Sequence, residues 1–83
     1  MYRVVLAKNA KKQLQKLDPR YKSAVSKAIN KLAKNPKIGK PLGGELKGSW
    51  KLRFSRYRII YLIQDKKLIV YIIDVKHRKD AYK

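Results

Sequence analysis

The sequence predicts an α+β fold in which two N-terminal helices pack on a mostly antiparallel sheet of about four strands. Three observations support this prediction: apolar residues recur at helical spacing before residue 35, strand-like segments fill the chain after residue 49, and a stretch rich in Gly and Pro separates the two parts. Helices followed by a run of strands are typical of this fold class. A length of 83 residues suits one small core, so we predict a single domain over residues 1–83.

The N-terminal segment predicts a strand and a short helix. The stretch from Tyr2 to Ala7 is rich in β-branched and apolar residues, which favour a strand. Asn9 is a suitable N-cap residue for the helix that follows. Along that helix, apolar residues recur with the helical period at Ala10, Leu14 and Leu17.

A second helix is predicted from Pro19 to Lys34. Asp18 is a good N-cap residue, and Pro is favoured at the first helical position. Asn35-Pro36 marks the end of this helix, because Pro disfavours the helical conformation in the residue before it. One apolar stripe would cover the sheet, and it consists of Tyr21, Val25, Ala28, Ile29 and Leu32.

Residues 36–48 predict a mobile surface loop, since this stretch contains all four glycines and few apolar residues. Gly43-Gly44 lies beside Glu45 and suggests a phosphate-binding loop. Such a loop needs a defined glycine spacing between a strand and a helix, and neither element is predicted here. We therefore do not expect this segment to bind an anion.

The last part of the chain predicts three strands in antiparallel order. Trp50 to Phe54 alternates apolar and basic residues, and Ser55-Arg56 forms a tight connection to the next strand, Tyr57 to Ile63. The final strand is predicted from Lys67 to Val75. The last two strands are apolar on both faces in places, which indicates helices over one face and a partly apolar cleft on the other.

The charge balance favours a polyanionic partner. The chain has 23 Lys and Arg against 5 Asp and Glu, a formal net charge of +18. Nucleic acid fits this charge, because each cation placed near a phosphate releases counterions. A merely lysine-rich surface is the alternative, although thermophilic surfaces of that kind usually mix both charge signs.

Several other classes of protein and site are disfavoured by the composition. The chain has no cysteine, which removes disulfides and thiolate chemistry and is compatible with the cytoplasm. No segment is long and apolar enough to predict a membrane span or a signal-peptide core. Glu45 is the only glutamate and His77 the only histidine, so a two-histidine or His–Glu acid–base pair is hard to assemble. The five acids are scattered along the chain, so we expect neither a metal site nor a cofactor.

Three cations on the strand pair form the first candidate site. Lys51 and Arg53 share one face of their strand, and a tight turn would bring Arg58 onto the same face. Such cations repel one another, and an arriving anion would relieve the repulsion. Charge alone leaves open whether they are a binding site or three ordinary surface residues.

The C-terminal tail adds groups that suit phosphoryl transfer. It contains His77, Arg78 and Tyr82 within six residues. Arginine binds phosphate bidentately and stabilises the charge of a pentacoordinate state, whereas His and Tyr can transfer protons. An enzyme built this way would depend on cationic stabilisation and on a second body that holds its substrate in place.

The segments Trp50–Phe54, Tyr57–Tyr61 and His77–Tyr82 together resemble toxins of the RelE/ParE superfamily, and the resemblance extends over essentially the whole chain. It is most specific in Tyr-Arg-Ile-Ile-Tyr, followed by His-Arg and a late Tyr. The resemblance implies a RelE-type toxin of a type II toxin–antitoxin system. RelE-type toxins are metal-independent endoribonucleases that cleave messenger RNA in the ribosomal A site by attack of a 2′-hydroxyl.

The resemblance also implies roles for individual residues. Lys51 and Arg53 would bind the phosphate region, and Arg58 would stabilise the transition state. Arg78 would act on the leaving side, Tyr82 as a base or stacking platform, and His77 in proton transfer. We further expect RNA contacts from three more cations, Lys47, Arg56 and Lys79.

The partners and alternatives follow from the same resemblance. An acidic antitoxin would neutralise the toxin, and the ribosomal A site and messenger RNA would be its targets in the cytoplasm, with no membrane partner. The first alternative is a ParE-type toxin that inhibits DNA gyrase by binding. The second is a basic RNA-binding module without catalytic activity.

Overall fold

The structure, a computed structural model, describes residues 1–77 except for the side chains of Leu46 and His77. It contains two α-helices and a five-stranded sheet in the spatial order β1-β5-β4-β3-β2. The helices are α1 (Lys8–Gln15) and α2 (Pro19–Lys34), and the strands are β1 (Arg3–Leu6), β2 (Lys40–Pro41), β3 (Ser49–Phe54), β4 (Tyr57–Gln64) and β5 (Ile69–His77). Three single-turn 3₁₀ helices span Pro36–Ile38, Gly44–Leu46 and Asp65–Lys67.

The predicted α+β class is confirmed, with both helices on one face of a mostly antiparallel sheet. Only the outer strand β1 runs parallel to its neighbour β5. The expected strand number was one too low, because residues 36–48, predicted as a loop, contain two 3₁₀ turns and the short strand β2. Lys40 and Pro41 carry no strand pattern of their own, and their pairing with Lys51 and Trp50 on β3 makes them a strand.

The second helix matches its prediction and the first differs at its start. α2 begins at Pro19, and the Oδ1 of Asp18 accepts a hydrogen bond of 3.0 Å from the Arg20 amide. Ala7, not Asn9, occupies the N-cap position of α1 and supplies no side-chain cap. Asn9 lies in the first turn of α1, where its side-chain amide donates to Asp74 at 3.4 Å.

The ends of the last strands also differ from the prediction. β5 begins at Ile69 instead of Lys67, because Asp65–Lys67 forms a 3₁₀ turn and Leu68 has a left-handed φ of 54°. The strand continues past Val75 to His77, since its backbone pairs with β4 as far as Tyr57. The predicted tight connection between β3 and β4 is confirmed, with Ser55 at a φ of 50°.

The core lies between the helices and one face of the sheet. Aromatic side chains on that face fix the pairing of β3 with β4: Phe54 stacks on Tyr57 with ring centroids 6.0 Å apart, and Trp50 on Tyr61 at 6.5 Å. The buried members of the core are Ala10, Leu17, Val25, Ala28, Leu32, Tyr57, Ile59, Tyr61, Val70, Ile72 and Val75.

A buried hydrogen bond connects this core to the segment before β2. The Tyr61 hydroxyl donates to the Pro36 carbonyl at 2.6 Å, and burial raises the pKa of Tyr61. Gly39 passes so close that a Cβ there would lie 2.5 Å from the Lys51 carbonyl oxygen. Within residues 1–77, neither helix has the length and apolar character needed to cross a membrane.

Candidate functional site

A row of three cations crosses the open face of the sheet, the face that the helices leave uncovered. Arg53 of β3 pairs directly with Arg58 of β4, and Arg58 pairs directly with Lys76 of β5. Neighbouring strands lie about 4.8 Å apart, so three like charges stand side by side. Like charges at directly opposed positions destabilise a sheet, so the fold gains nothing from this row.

Arg58, at the centre of the row, has unused hydrogen-bonding capacity. Its Nε is buried and has no hydrogen-bond partner among the residues that the structure describes. An unsatisfied buried donor costs free energy, more so on a charged group. An oxyanion bound beside Arg58 would supply the missing acceptor.

Arg58 lines a cavity of about 450 Å³. Two further cations line this cavity, Lys51 from β3 and Lys76 from β5. Lys51 is a diagonal neighbour of Arg58, since its direct partner on β4 is Ile60, two residues further along that strand. The cavity therefore presents three positive charges to a ligand.

The rest of the cavity wall is partly polar and partly apolar. Asp74 and Asn9 form the polar part, while Leu42, Ile60 and Ile73 form the apolar part. The Asp74 carboxylate is about four-fifths buried, with an exposed side-chain fraction of 20%, and its Oδ2 lies 3.9 Å from the Lys76 ammonium. The cavity thus joins cations, one carboxylate and an apolar floor.

Gln13 holds this carboxylate in place. The Gln13 side chain donates to the Asp74 Oδ1 at 2.7 Å and accepts from the Val75 amide at 2.7 Å. α1 is thereby attached to β5 beyond the end of β1, where the β5 backbone would otherwise lack a partner on that side. The position of Asp74 is set by helix and strand together.

Sequence reasoning missed Asp74, Lys76 and Asn9 as cavity residues. For the two residues of β5 the reason is a β-bulge: Ile60 pairs with Asp74 and Tyr61 with Ile72, which leaves Ile73 as an extra residue. Simple alternation from Ile72 would direct Asp74 towards the core. The bulge reverses the alternation and turns Asp74 and Lys76 to the open face.

The predicted residues of the strand pair are brought together in part. Lys51, Arg53 and Arg58 share the open face as expected, because the tight turn pairs Arg53 with Arg58. Lys51 and Arg58 line the cavity of about 450 Å³, whereas Arg53 is exposed and lines a neighbouring groove beside Gly39.

Two other predicted RNA contacts lie outside the cavity wall. Arg56 is exposed in the turn next to the row. Lys47 is exposed and precedes β3 at the end of that strand remote from Arg58. The backbone of His77 ends β5, and its side chain lies outside the described residues, as do Arg78, Lys79 and Tyr82.

The arrangement suits the binding of a phosphodiester. Guanidinium and ammonium groups bind phosphate oxygens through charge-assisted hydrogen bonds, and a fixed guanidinium stabilises additional negative charge. Within residues 1–77, no three His, Cys, Asp or Glu side chains are grouped so that they could hold a metal ion.

Two helices packed on one face of a mostly antiparallel sheet are the architecture also found in solved structures of RelE-type toxins. Residues 4–82 match the ParE toxin family of type II toxin–antitoxin systems, and the chain belongs to this family. The predicted superfamily is thereby confirmed.

Individual relatives agree with this assignment. The chain is 39% identical to Toxin RelG of Mycobacterium tuberculosis over 84 residues, which cover 99% of this chain and 97% of the relative. Its fold is similar to that in the toxin–antitoxin complex RelBE2 of Mycobacterium tuberculosis, with a TM-score of 0.86, 39% identity and coverage of 93% and 98%. It is also similar to the isolated RelE toxin of E. coli, with a TM-score of 0.81, 25% identity and coverage of 93% and 84%.

Proposed function

We propose that this toxin is a metal-independent, ribosome-dependent endoribonuclease that cleaves messenger RNA in the ribosomal A site. The 2′-hydroxyl oxygen of one nucleotide attacks the adjacent phosphorus, the bond to the 5′-oxygen breaks, and a 2′,3′-cyclic phosphate remains. The observation that carries the proposal is Arg58, whose buried Nε lacks an acceptor at the centre of a cation row.

In this proposal, Arg58 stabilises the charge that develops on the phosphate in the transition state. Its position is fixed by strand pairing on both sides, so little reorganisation is needed when charge develops. Lys51 and Arg53 hold the phosphate region from the neighbouring strand. Arg53 serves in binding and not as an acid, because a guanidinium does not readily lose a proton.

The proton-transfer groups of the proposal belong to the C-terminal segment. Tyr82 acts as general base or stacking platform, His77 assists proton transfer, and Arg78 contacts the leaving side. Lys47, Arg56 and Lys79 add RNA contacts outside the cavity. The ribosome would supply the substrate alignment that these weak acid–base groups cannot supply.

The proposal includes an antitoxin and a place of action. The matched structure from Mycobacterium tuberculosis is a toxin–antitoxin complex, which supports an antitoxin for this chain. A net charge of +18 favours an acidic partner, since it offsets the self-repulsion of the toxin. A toxin that acts on translating ribosomes works in the cytoplasm.

Primer extension on a translated messenger, with and without induced toxin, tests the proposal. We expect cuts at fixed positions within codons, and none in the same RNA without ribosomes. Arg58→Ala should reduce cleavage about 10²- to 10³-fold, as expected for the loss of one preorganised transition-state contact.

Lys66→Ala is the matched control, because it removes one positive charge at the opposite end of the β4–β5 hairpin. It should cleave like the unmodified toxin. Equal toxicity and cleavage of the Arg58→Ala variant would show the assignment of this residue to be wrong. Growth arrest with DNA damage signalling and no messenger cuts would favour the gyrase-directed alternative, and no growth arrest at all would favour a binding module.

A further inference from the structure

The cavity on the open face has the composition of a nucleotide site and not only that of a phosphate site. Its wall combines cations, apolar side chains and one carboxylate, with Lys76 beside that carboxylate and Lys51 two strands away from it. Apolar floors with a few fixed polar groups are typical of small-ligand pockets, and about 450 Å³ lies within their usual size range. Ile60 and Ile73 offer the flat face of a base an apolar surface.

The strand register gives the spacing between the two ends of the cavity. Lys51, Ile60 and Asp74 form one row across three strands, so the first and third stand about 9–10 Å apart at the backbone. Arg58 and Asp74 are diagonal neighbours on adjacent strands, about 7–8 Å apart. These separations are comparable to the distance between the phosphate and the Watson–Crick edge within one nucleotide.

The Asp74 carboxylate has free acceptor capacity on the cavity side. Both of its hydrogen bonds, from Gln13 and Asn9, end on Oδ1. The Oδ2 has the Lys76 ammonium at 3.9 Å and no hydrogen bond within the described part of the chain.

We infer that this cavity binds one nucleobase of the RNA substrate and that Asp74 makes it prefer guanine. The inference rests on the proposed function for its substrate class. A carboxylate accepts hydrogen bonds only, and guanine alone among the four bases presents two adjacent donors, N1–H and the N2 amino group, on its Watson–Crick edge. Adenine and cytosine place an acceptor beside their amino group, and uracil places a carbonyl on each side of its N–H.

Titration of the toxin with the four nucleoside 3′,5′-bisphosphates, followed by NMR, tests this inference without ribosomes and without cleavage. We expect the guanosine compound to bind about tenfold more tightly than the other three, since only guanine can donate two hydrogen bonds to the free Oδ2 and one hydrogen bond to a charged acceptor is worth on this order. The inosine compound, which lacks only the N2 amino group, should lose most of this advantage.

Three variants separate base recognition from charge. Asp74→Asn keeps an oxygen for Gln13 but replaces the second acceptor by a donor, so the preference for guanine should disappear. Asp65→Asn changes the charge equally in the turn before β5, outside the cavity, and should keep the preference. Lys51→Ala should weaken all four compounds to a similar extent, since Lys51 stands about 9–10 Å from Asp74 at the backbone and does not contact the base.

Equal binding of all four compounds, or no binding, would overturn the inference, as would an unchanged preference in Asp74→Asn. The comparison of guanosine with inosine decides the matter even if a variant folds poorly, because it uses the unmodified chain. A missing base preference together with codon-positioned messenger cuts would reject the base site and leave the proposed nuclease standing. A guanine preference without such cuts would support the base site and contradict the proposed nuclease.

Discussion

The two faces of the same sheet differ in what their side chains contribute to stability, and two consecutive residues of β4 show the difference. Ile59 is fully buried under the helices among apolar neighbours. Arg58, the residue before it, faces two cations on the other side of the sheet and has a buried Nε without a partner in the described chain. The covered face stabilises the fold, whereas the directly paired cations of the open face oppose it through like-charge repulsion.

The two faces also differ in how completely their polar groups are hydrogen-bonded. On the covered face, the Tyr61 hydroxyl finds the Pro36 carbonyl at 2.6 Å. On the open face, Asp74 is held firmly by Gln13 and yet leaves one oxygen available to the cavity. A difference of this kind within one small sheet is more specific support for the proposed site than a net charge of +18 is.

Ile59→Ala and Arg58→Ala, compared by chemical denaturation, should give the largest difference between the faces. The Ile59 variant should lose about 2–5 kcal/mol of unfolding free energy, because it leaves a cavity in the core. The Arg58 variant should change by less than about 1 kcal/mol, since the loss of packing is offset by relief of like-charge repulsion. A loss of similar size in both variants would mean that Arg58 also supports the fold.

Gly39→Ala should have the next largest effect, because the added methyl group would meet the Lys51 carbonyl and the Tyr61 hydroxyl. The segment before β2 must then move away, at a cost of about 1–3 kcal/mol. Gly43→Ala is the control, since no atom lies within 4 Å of a Cβ there. Thermal unfolding of both variants measures the difference, and equal midpoints would contradict the close approach at Gly39.

The smallest effect is expected from Asp18→Asn at the start of α2, where the Asp18 side chain is 40% exposed. Hydrogen bonds from Arg20 lower the pKa of Asp18 below its ordinary value of 3.8. The charged form therefore adds stability that is fully present above pH 3.8 and is lost as the pH falls through the lower, folded pKa. Asn can still accept the capping hydrogen bond and loses only the charge. The variant should therefore unfold at a slightly lower temperature than the unmodified chain at neutral pH.

Unfolding midpoints of the Asp18→Asn variant and the unmodified chain should converge below pH 3.8. The check is a series of thermal melts from pH 7 to the acid range. A gap that stays constant with pH would mean that the carboxylate charge contributes nothing.

Local patterns were sufficient for much of the fold. α2 was predicted with both ends correct, because a strong cap, a first-turn Pro and a terminal Asn-Pro lie within the segment itself. The start of α1 was missed because no side chain caps it, and its packing on β5 decides where it begins. β2 could not be predicted, since only its pairing with β3 makes Lys40 and Pro41 a strand.

The sequence by itself determined the cation row in part. Alternation along β3 and a two-residue turn are local properties, and together they placed Lys51, Arg53 and Arg58 on one face. Family membership could be inferred from the same segments. These features depend on residues that are neighbours in the chain, so the sequence pattern contains them.

Only the tertiary structure decided that the cavity also contains Asp74 and Lys76. Their direction depends on the bulge at Ile73, which exists because β4 and β5 pair in two registers on either side of it. One extra residue reverses the direction of every side chain beyond it, and no local pattern on β5 predicts this reversal. The carboxylate on which the proposed base preference rests is therefore oriented by strand pairing.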